Sequence, residues 1–281
     1  MGDAEHAPKI DVLVVTGGHP FEAGPFFAVF DALPGITWTA ATNPVVGHDV
    51  IVFYDMPGIR FTGSDPPMEA VPPTAEQRGV FEQLCNRGTG LVFLHHAVAS
   101  WPAWPEFAEI VGGRFHYAPA TLQGIDYPDS GYRFDVRHTV EVLEPDHPVC
   151  AGLGRQFTIT DELYCFPVLT DEITPLMRTT FDMSDSSQFF SADLAIRGKR
   201  NSNEEWRHPP GSPLVGWVKH AGASPVVYLQ FGDGPQTYAD PSFRRVLSNA
   251  IGWAAASTSS PAALGSSAAL GSATADAEVD R

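Results

Sequence analysis

The sequence predicts an α/β domain of the flavodoxin-like, doubly wound class, with helices on both faces of a mostly parallel sheet. Two observations carry this prediction. Short β-branched runs, each ending at glycine or at polar residues, recur through the first hundred residues, and helical patterns separate them. Their order is strand–helix–strand–strand–helix–strand, which is typical of a doubly wound sheet. We expect one domain over residues 10–256, with a segment inserted between about residues 112 and 212.

The predicted elements follow this alternation along the chain. The capping pattern at Thr74 and Gln77 marks a helix start, and Gly88 marks its end. A polar, poorly periodic stretch at residues 182–212 predicts a long excursion or lid near the site. The remaining predictions are strands at residues 10–15, 36–41, 50–54, 91–94, 137–143, 157–160, 214–218 and 226–231, and helices after residue 22, at 101–111 and at 243–255.

The two ends of the chain are predicted to be tails. Residues 1–9 contain no basic region followed by an apolar stretch, so we expect no signal peptide. Residues 257–281 are rich in Ala, Ser and Gly and lack apolar periodicity, so we expect them to be disordered. No apolar stretch approaches the length of a membrane span.

The charge balance limits the classes of partner. The chain has 33 acidic and 17 basic side chains, a formal net charge of −16. Nucleic acids and anionic membrane surfaces attract basic proteins, so we expect neither as a partner. Neutral polar ligands such as sugars fit better, and a homo-oligomer is compatible with the composition.

The cysteines and glycines exclude further classes. Cys85, Cys150 and Cys165 are isolated and odd in number, so a thiolate zinc site is not expected. Reduced thiols suit a cytoplasmic protein. Gly17 and Gly18 do not form the GxGxxG pattern, so we expect no nucleotide cofactor.

Two adjacent histidines end the apolar run at residues 91–94. Such a run is typical of a strand buried on both faces, and ligands bind at the carboxyl ends of parallel strands. His95 and His96 there can bind a metal, move a proton or hold a polar ligand. The alternative is that one is satisfied by backbone groups and the other lies at the surface.

Other polar residues follow predicted strands or tight turns, and a shared pocket is therefore expected. Imidazoles and carboxylates together suit a divalent metal such as zinc, and without a metal they can act as general acids and bases. Each could instead cap a turn. The residues in question are His19, Glu22, Asp55, Glu162 and Asp233.

Covalent catalysis is disfavoured by the same stretch. There is no Gly-x-Ser-x-Gly sequence for a hydrolase nucleophile. Where a class I glutamine amidotransferase would carry its cysteine nucleophile, the chain has His95 or His96, and Cys85 lies inside the preceding predicted helix.

An ordered set of short blocks resembles the ThuA-like (trehalose utilisation) family over about residues 10–255. The blocks are Val-Thr-Gly-Gly-His-Pro-Phe-Glu, Gly-Leu-Val-Phe-Leu-His-His-Ala, Gly-Gly-Arg-Phe-His, His-Pro-Val, Asp-Glu-Leu-Tyr and Phe-Arg-Arg-Val-Leu-Ser-Asn-Ala-Ile-Gly-Trp-Ala. The resemblance implies a glutamine amidotransferase-like fold without the cysteine nucleophile, a role in carbohydrate metabolism through 3-keto sugars, and zinc in some relatives. One position departs from the pattern. Relatives usually read Gly-His where this chain reads Gly232-Asp233, so either Asp233 substitutes as an oxygen ligand or the site is altered.

From these observations we expect an enzyme that cleaves a C–O bond of a sugar or 3-keto-glycoside, as a lyase or hydrolase. The alternatives are a keto-sugar isomerase and a non-catalytic carbohydrate-binding or regulatory protein. The candidate catalytic residues are His95, His96 and Glu162; the candidate metal ligands, with zinc favoured, are His19, His96, Glu162 and Asp233; and the candidate substrate-binding residues are His19, Glu22, Asp55, Trp101, His116, Tyr164 and Tyr238.

Overall fold

The computed structural model describes residues 8–257, so the tail predicted at residues 257–281 lies outside the described residues beyond Ser257. The helices are α1 (Ala23–Ala32), α2 (Ala75–Arg87), α3 (Pro105–Val111), α4 (Ala192–Ile196), α5 (Pro235–Ala239) and α6 (Pro241–Ser257). The strands are β1 (Ile10–Gly17), β2 (Ile36–Ala41), β3 (Val50–Asp55), β4 (Ile59–Phe61), β5 (Met68–Ala70), β6 (Gly90–Leu94), β7 (Ala120–Leu122), β8 (Ile125–Tyr127), β9 (Gly131–Val142), β10 (Gln156–Cys165), β11 (Thr174–Thr179), β12 (Phe190–Ser191), β13 (Leu214–Ala221) and β14 (Ser224–Leu229).

One large sheet organises the described chain, with strand order β10-β9-β11-β13-β14-β6-β3-β1-β2 and β12 paired with β9. Neighbours from β14 to β2 are parallel, so β1, β3, β6 and β14 end at the same edge. The predicted α/β class is confirmed. The inserted segment supplies β9 to β12, and these strands extend the same sheet with antiparallel pairs.

The parallel strands are buried because both of their faces are apolar. Val12 and Val14 on β1 pack into one core, while Leu13 and Val15 pack into the other. The two-residue period of a strand distributes a continuous apolar run between two cores in this way. Helices α1 and α6 lie over the first core, and α2 and α3 cover the second.

Helix α2 has the predicted start and end. The Thr74 hydroxyl accepts a hydrogen bond from the Gln77 amide at 3.2 Å, and the Gln77 side chain accepts one from the Thr74 amide at 2.9 Å. Gly88 ends the helix with a φ of 75°, a left-handed conformation that glycine adopts without strain.

Helix α3 is shorter than predicted, because it begins at Pro105 rather than at Trp101. Trp101 has a φ of 52°, which is incompatible with a helix there. The buried Arg114 guanidinium donates to the carbonyl oxygens of Ser100, Trp101 and Trp104 at 3.1, 2.7 and 2.8 Å. These bonds satisfy a buried cation and hold the segment as a loop.

The polar stretch predicted as an excursion contains β12 and α4. Ser191 begins α4, because its hydroxyl accepts from the Leu194 amide at 3.0 Å. Within residues 8–257, no helix is long and apolar enough to cross a membrane.

Candidate functional site

His95 lies directly after β6, at the edge where the parallel strands end, and it is fully buried. Its φ of 49° is left-handed, a conformation that costs a non-glycine residue about 1–3 kcal/mol. Two contacts hold it. Its Nδ1 lies 2.7 Å from the Gln230 carbonyl oxygen, and its own carbonyl accepts from the Tyr228 hydroxyl at 3.1 Å. Because Nδ1 donates to a carbonyl, Nε2 is left for the site.

The Nε2 atom of His95 faces two carboxylates and a phenol. Glu162 Oε2 lies 3.1 Å away, Asp233 Oδ1 3.7 Å away, and the Tyr164 hydroxyl 2.8 Å away. The Tyr164 ring also stacks on the imidazole, with centroids 4.7 Å apart. The three residues His95, Glu162 and Asp233 each offer a ligand atom, and these atoms lie within 4.8 Å of one another.

Glu162 and Tyr164 come from β10, two residues apart and therefore on one face of the strand. The pairing of β10 with β9 is irregular at this point, because Phe134 and Asp135 together lie opposite Glu162. Asp135 takes a φ of 54°. Bulges of this kind re-aim side chains and are frequent next to active sites.

Asp161 joins β10 to the loop that carries Asp233. Its carboxylate accepts from the amides of Gly232 at 2.8 Å and Asp233 at 3.0 Å, and also from the Glu162 amide at 2.9 Å. A further bond runs from the Thr237 hydroxyl to the Thr160 carbonyl at 3.2 Å. Strand β10 is therefore fixed against the end of β14, although three strands, β9, β11 and β13, separate the two in the sheet order.

Electrostatics within the cluster favour a protonated His95. Burial opposes this, but hydrogen bonds to Asp233 and Glu162 outweigh it and raise the pKa of His95 well above 6.5. Burial raises the pKa of Glu162 despite the opposing bond from His95. For Asp233, the hydrogen bond and charge of His95 outweigh burial and lower its pKa.

His96 points away from the carboxylates and packs beside His19. The two rings stack with centroids 4.3 Å apart, and His96 Nε2 lies 3.2 Å from the Tyr54 carbonyl oxygen. Burial, together with His19 and His95, holds the pKa of His96 well below 6.5. Nδ1 of His19 and Nδ1 of His96 have no hydrogen-bond partner within the described residues.

A cavity of about 750 Å³ opens onto this cluster, a size suited to a small-molecule ligand. Glu162, Tyr164 and Asp233 line the cavity where it meets the cluster, together with the neighbouring His19. Its other lining residues are Gly18, Pro20, Met56, Phe61, Gly63, Pro67, Phe115, Tyr117, Tyr132, Phe134, Ala192, Ala195, Ile196 and Arg200.

The chemistry of the cluster fits a divalent cation. One imidazole and two carboxylates match the nitrogen and oxygen ligands of catalytic zinc sites. The Nδ1 bond from His95 to a backbone carbonyl is the supporting contact that metal-binding histidines usually make. Of the four metal ligands expected from the sequence, Glu162 and Asp233 belong to this group; His95 is its imidazole rather than His96, and His19 lies beside it.

The other predicted site residues lie outside the cavity wall. Asp55 is buried at the end of β3, and burial raises its pKa to about 8. Trp101 packs in the second core, and Tyr238 shares a hydrogen bond of 2.7 Å with the Tyr54 hydroxyl. His116 is buried, and burial and the charge of Arg114 lower its pKa to about 4; Glu22 is exposed at the start of α1.

Sequence reasoning overlooked three features of the site. Asp161 enters the sequence analysis only as part of Asp-Glu-Leu-Tyr, and no role is assigned there to Gln230 or to the two aromatic lining residues on β9, Tyr132 and Phe134. An acid directly before Glu162 was the available signal for Asp161. The contact of Gln230 is made by its backbone carbonyl, which no side-chain pattern reveals.

The fold and the site are those of a glutamine amidotransferase-like α/β protein that has histidine, rather than cysteine, at the end of β6. The sequence model of the ThuA family, described as trehalose utilisation, matches residues 45–254, and the chain belongs to this family. Family membership supports a carbohydrate-related role. Among curated proteins, none matches this sequence.

Solved structures share this fold. A ThuA-like protein from Parabacteroides merdae superposes with a TM-score of 0.63 at 15% identity, covering 88% of this chain and 90% of that chain. A second, from Bacteroides uniformis, gives a TM-score of 0.59 at 19% identity over 90% and 95% of the two chains. A cytoplasmic protein from Salmonella typhimurium gives 0.50 at 10% identity, over 86% and 98%.

Proposed function

We propose that this protein is an enzyme that cleaves the glycosidic C–O bond of a 3-keto-glycoside by acid–base elimination. The observation that supports it is the group of His95, Glu162 and Asp233, in which Glu162 and Asp233 line the cavity and the fully buried His95 lies against both. A carbonyl at C3 acidifies the proton on C2, so the reaction needs one base near C2 and one cationic group near the C3 oxygen. Glu162 and His95 supply this pair 3.1 Å apart.

In the proposed reaction, Glu162 takes the C2 proton, and the electron pair of that C–H bond forms an enolate whose charge rests on the C3 oxygen. His95, protonated on Nε2 between two carboxylates, stabilises this charge. Collapse of the enolate restores the C3 ketone, forms a C1–C2 double bond and breaks the C1–O bond. The leaving oxygen then takes the proton from Glu162, so that the products are an enone and an alcohol.

Two further groups assist. Tyr164 stacks on the imidazole and fixes its plane, and Asp233 maintains the charge on His95. A divalent cation held by His95, Glu162 and Asp233 would take the place of the proton on His95 Nε2 and would supply Lewis-acid polarisation of the substrate carbonyl. Action in the cytoplasm, without nucleic acid or membrane partners, and assembly into a homo-oligomer stay predictions.

The test uses methyl 3-keto-glucosides of both anomers, unlabelled and deuterated at C2. Elimination predicts methanol release, an enone product and a primary isotope effect on kcat. Hydrolysis predicts methanol release without that effect, an isomerase releases no methanol, and a binding protein gives no turnover of any glycoside. Any of these last three results contradicts the proposal.

Variants locate the reaction. Glu162→Gln keeps the side-chain shape but removes the base, and it should lower kcat at least about a hundredfold. His220→Gln, at an exposed position on β13, is the matched control and should retain kcat within about twofold. Equal activity of Glu162→Gln and wild type would place the chemistry elsewhere.

A further inference from the structure

The lining of the cavity falls into two chemically different groups. Glu162 and Asp233 are its acidic residues, and the fully buried His95 lies against them. Among its apolar residues, Phe61 and Phe134 are 47% and 48% exposed, so they stand at the mouth. Phe61 comes from the β4–β5 hairpin and Phe134 from β9, and two elements far apart in the chain therefore supply the apolar mouth.

These aromatic rings are braced by others. The Phe61 ring meets the Tyr117 ring edge-on with centroids 5.6 Å apart, and the Phe134 ring meets the Tyr132 ring in the same way at 5.2 Å. Edge-to-face pairs of this kind stabilise ring orientation. The mouth is thus a preformed apolar wall, continued on α4 by Ala192, Ala195 and Ile196.

Few free hydrogen-bonding groups accompany these aromatic residues in the lining. None of the lining residues in the described part of the chain is Asn, Gln, Ser or Thr. The Tyr117 hydroxyl donates to the Met56 sulfur at 3.5 Å, and the Tyr132 hydroxyl accepts from the Asn201 amide at 3.0 Å. Arg200 is the remaining charged side chain away from the buried cluster, and its guanidinium plane can stack on a ring.

A second sugar would be poorly accommodated here. Its hydroxyls would lose their hydrogen bonds to water and find few partners in the cavity lining, and a polar group buried without a partner costs binding free energy. An apolar ring would instead gain by leaving water and would meet aromatic faces. The cavity is also larger than one sugar ring fills, so the space beyond the reacting sugar must accept the leaving group.

We propose that the leaving group is an apolar, planar aglycone such as an aromatic alcohol, and that the substrates are amphipathic glycosides rather than disaccharides. This inference rests on the proposed cleavage of a keto-glycoside, since it assigns the mouth of the cavity to the group that departs. The sugar then lies beside the two acidic lining residues, Glu162 and Asp233.

The first experiment measures binding without chemistry. Methyl glucoside, 2-phenylethyl glucoside and a glucosyl-glucose disaccharide lack the keto group and cannot eliminate, so calorimetry gives their Kd values on the wild-type protein. We expect 2-phenylethyl glucoside to bind at least about tenfold more tightly than either other ligand. Equal binding of all three, undetectable binding of all three, or tighter binding of the disaccharide overturns the inference.

The second experiment tests the wall itself. Phe61→Ala and Phe134→Ala should each weaken 2-phenylethyl glucoside binding about fivefold and leave methyl glucoside within twofold. Ile125→Ala removes an apolar side chain that is 57% exposed and outside the cavity, and it should change neither Kd. A loss equal for both ligands would assign Phe61 and Phe134 a general structural role and contradict the inference.

Kinetics separate this inference from the proposed function. The 3-keto forms of the 2-phenylethyl glycoside and of the disaccharide both release aliphatic alcohols, so leaving-group acidity does not favour the aromatic one strongly. A kcat/KM at least tenfold higher for the 2-phenylethyl form supports the inference. If neither form turns over while the binding preference holds, the proposed function fails and the aglycone site stands.

Discussion

Asp161 connects the elements that form the site, so replacing it with asparagine should lower the free energy of unfolding. The replacement should also separate Asp233 from His95 and Glu162. Its two carboxylate oxygens accept from three backbone amides, those of Gly232, Asp233 and Glu162. Asp161 itself is fully buried. Asparagine has the same shape but offers one oxygen and one NH₂ group, so at least one backbone N–H must face another donor.

The magnitude follows from the number of bonds lost. A hydrogen bond to a charged group contributes about 1.5–3 kcal/mol, and a buried donor left unpaired adds a desolvation penalty. We therefore expect Asp161→Asn to reduce the free energy of unfolding by about 3 kcal/mol. For a domain of this size, that corresponds to a Tm lowered by about 6–12 °C.

The assay is thermal unfolding followed by circular dichroism, with Asp185→Asn as the matched control. Asp185 accepts from the Ser187 amide at 2.9 Å in an exposed turn, so the same chemical change there should alter the Tm by less than about 2 °C. A Tm for Asp161→Asn as close to wild type as that of the control would refute the reasoning. So would a divalent-cation affinity equal to that of the wild type, because Asp161 positions Asp233, one of the three proposed ligands.

Three further outcomes are expected. Asp233→His replaces a proposed oxygen ligand with a nitrogen ligand, so competition calorimetry should show at least about a tenfold gain in affinity for zinc over manganese. An unchanged ratio of the two affinities would exclude Asp233 as a ligand. Burial raises the pKa of the Cys85 and Cys150 thiols to about 11 and of the Cys165 thiol to about 12. Because the thiolate is the reactive form, mass spectrometry should find the native protein unmodified by iodoacetamide at pH 7, and extensive labelling would contradict this. Burial lowers the pKa of His138 to about 4, so the folded state resists a proton that the unfolded state binds near pH 6.5. The free energy of unfolding therefore falls as the pH drops from 6.5 towards 4, and His138→Gln should remove about 2 kcal/mol of the loss between pH 7 and pH 5. Denaturation curves that are identical for the variant and the wild type at both pH values would refute this.

The parallel half of the sheet was predictable because its signals are local. Residues 91–94 are apolar and end at a polar pair, and this pattern is enough to define β6 and the edge where it ends. The cap of α2 is equally local, since Thr74 and Gln77 are three residues apart. Helix α3 was predicted four residues too long because Arg114, ten residues beyond Trp104, holds the preceding loop.

The antiparallel half was less accessible. Strand β9 runs from Gly131 to Val142, whereas alternation predicted a strand only at residues 137–143. The bulge at Phe134 and Asp135 breaks the two-residue period, so its first part reads as irregular. The position of Glu162 beside His95 depends on how β10 returns to the end of β14, a long-range contact that spacing along the chain does not encode.

The choice between His95 and His96 shows the limit of pattern reasoning most clearly. Neighbouring residues after a strand point in different directions, which predicts that one of the two is central but not which one. The structure brings His95 to the carboxylates because its left-handed φ turns the side chain towards Glu162, and because the carbonyl of Gln230 accepts from its Nδ1. That conformation is held by contacts from Tyr228 on β14 and from Gln230 directly after it, which lie 133 and 135 residues further along the chain. The left-handed backbone of His95 and the buried carboxylate of Asp161 therefore both depend on contacts between distant parts of the chain. The site forms only when strands from both halves of the sheet are in place.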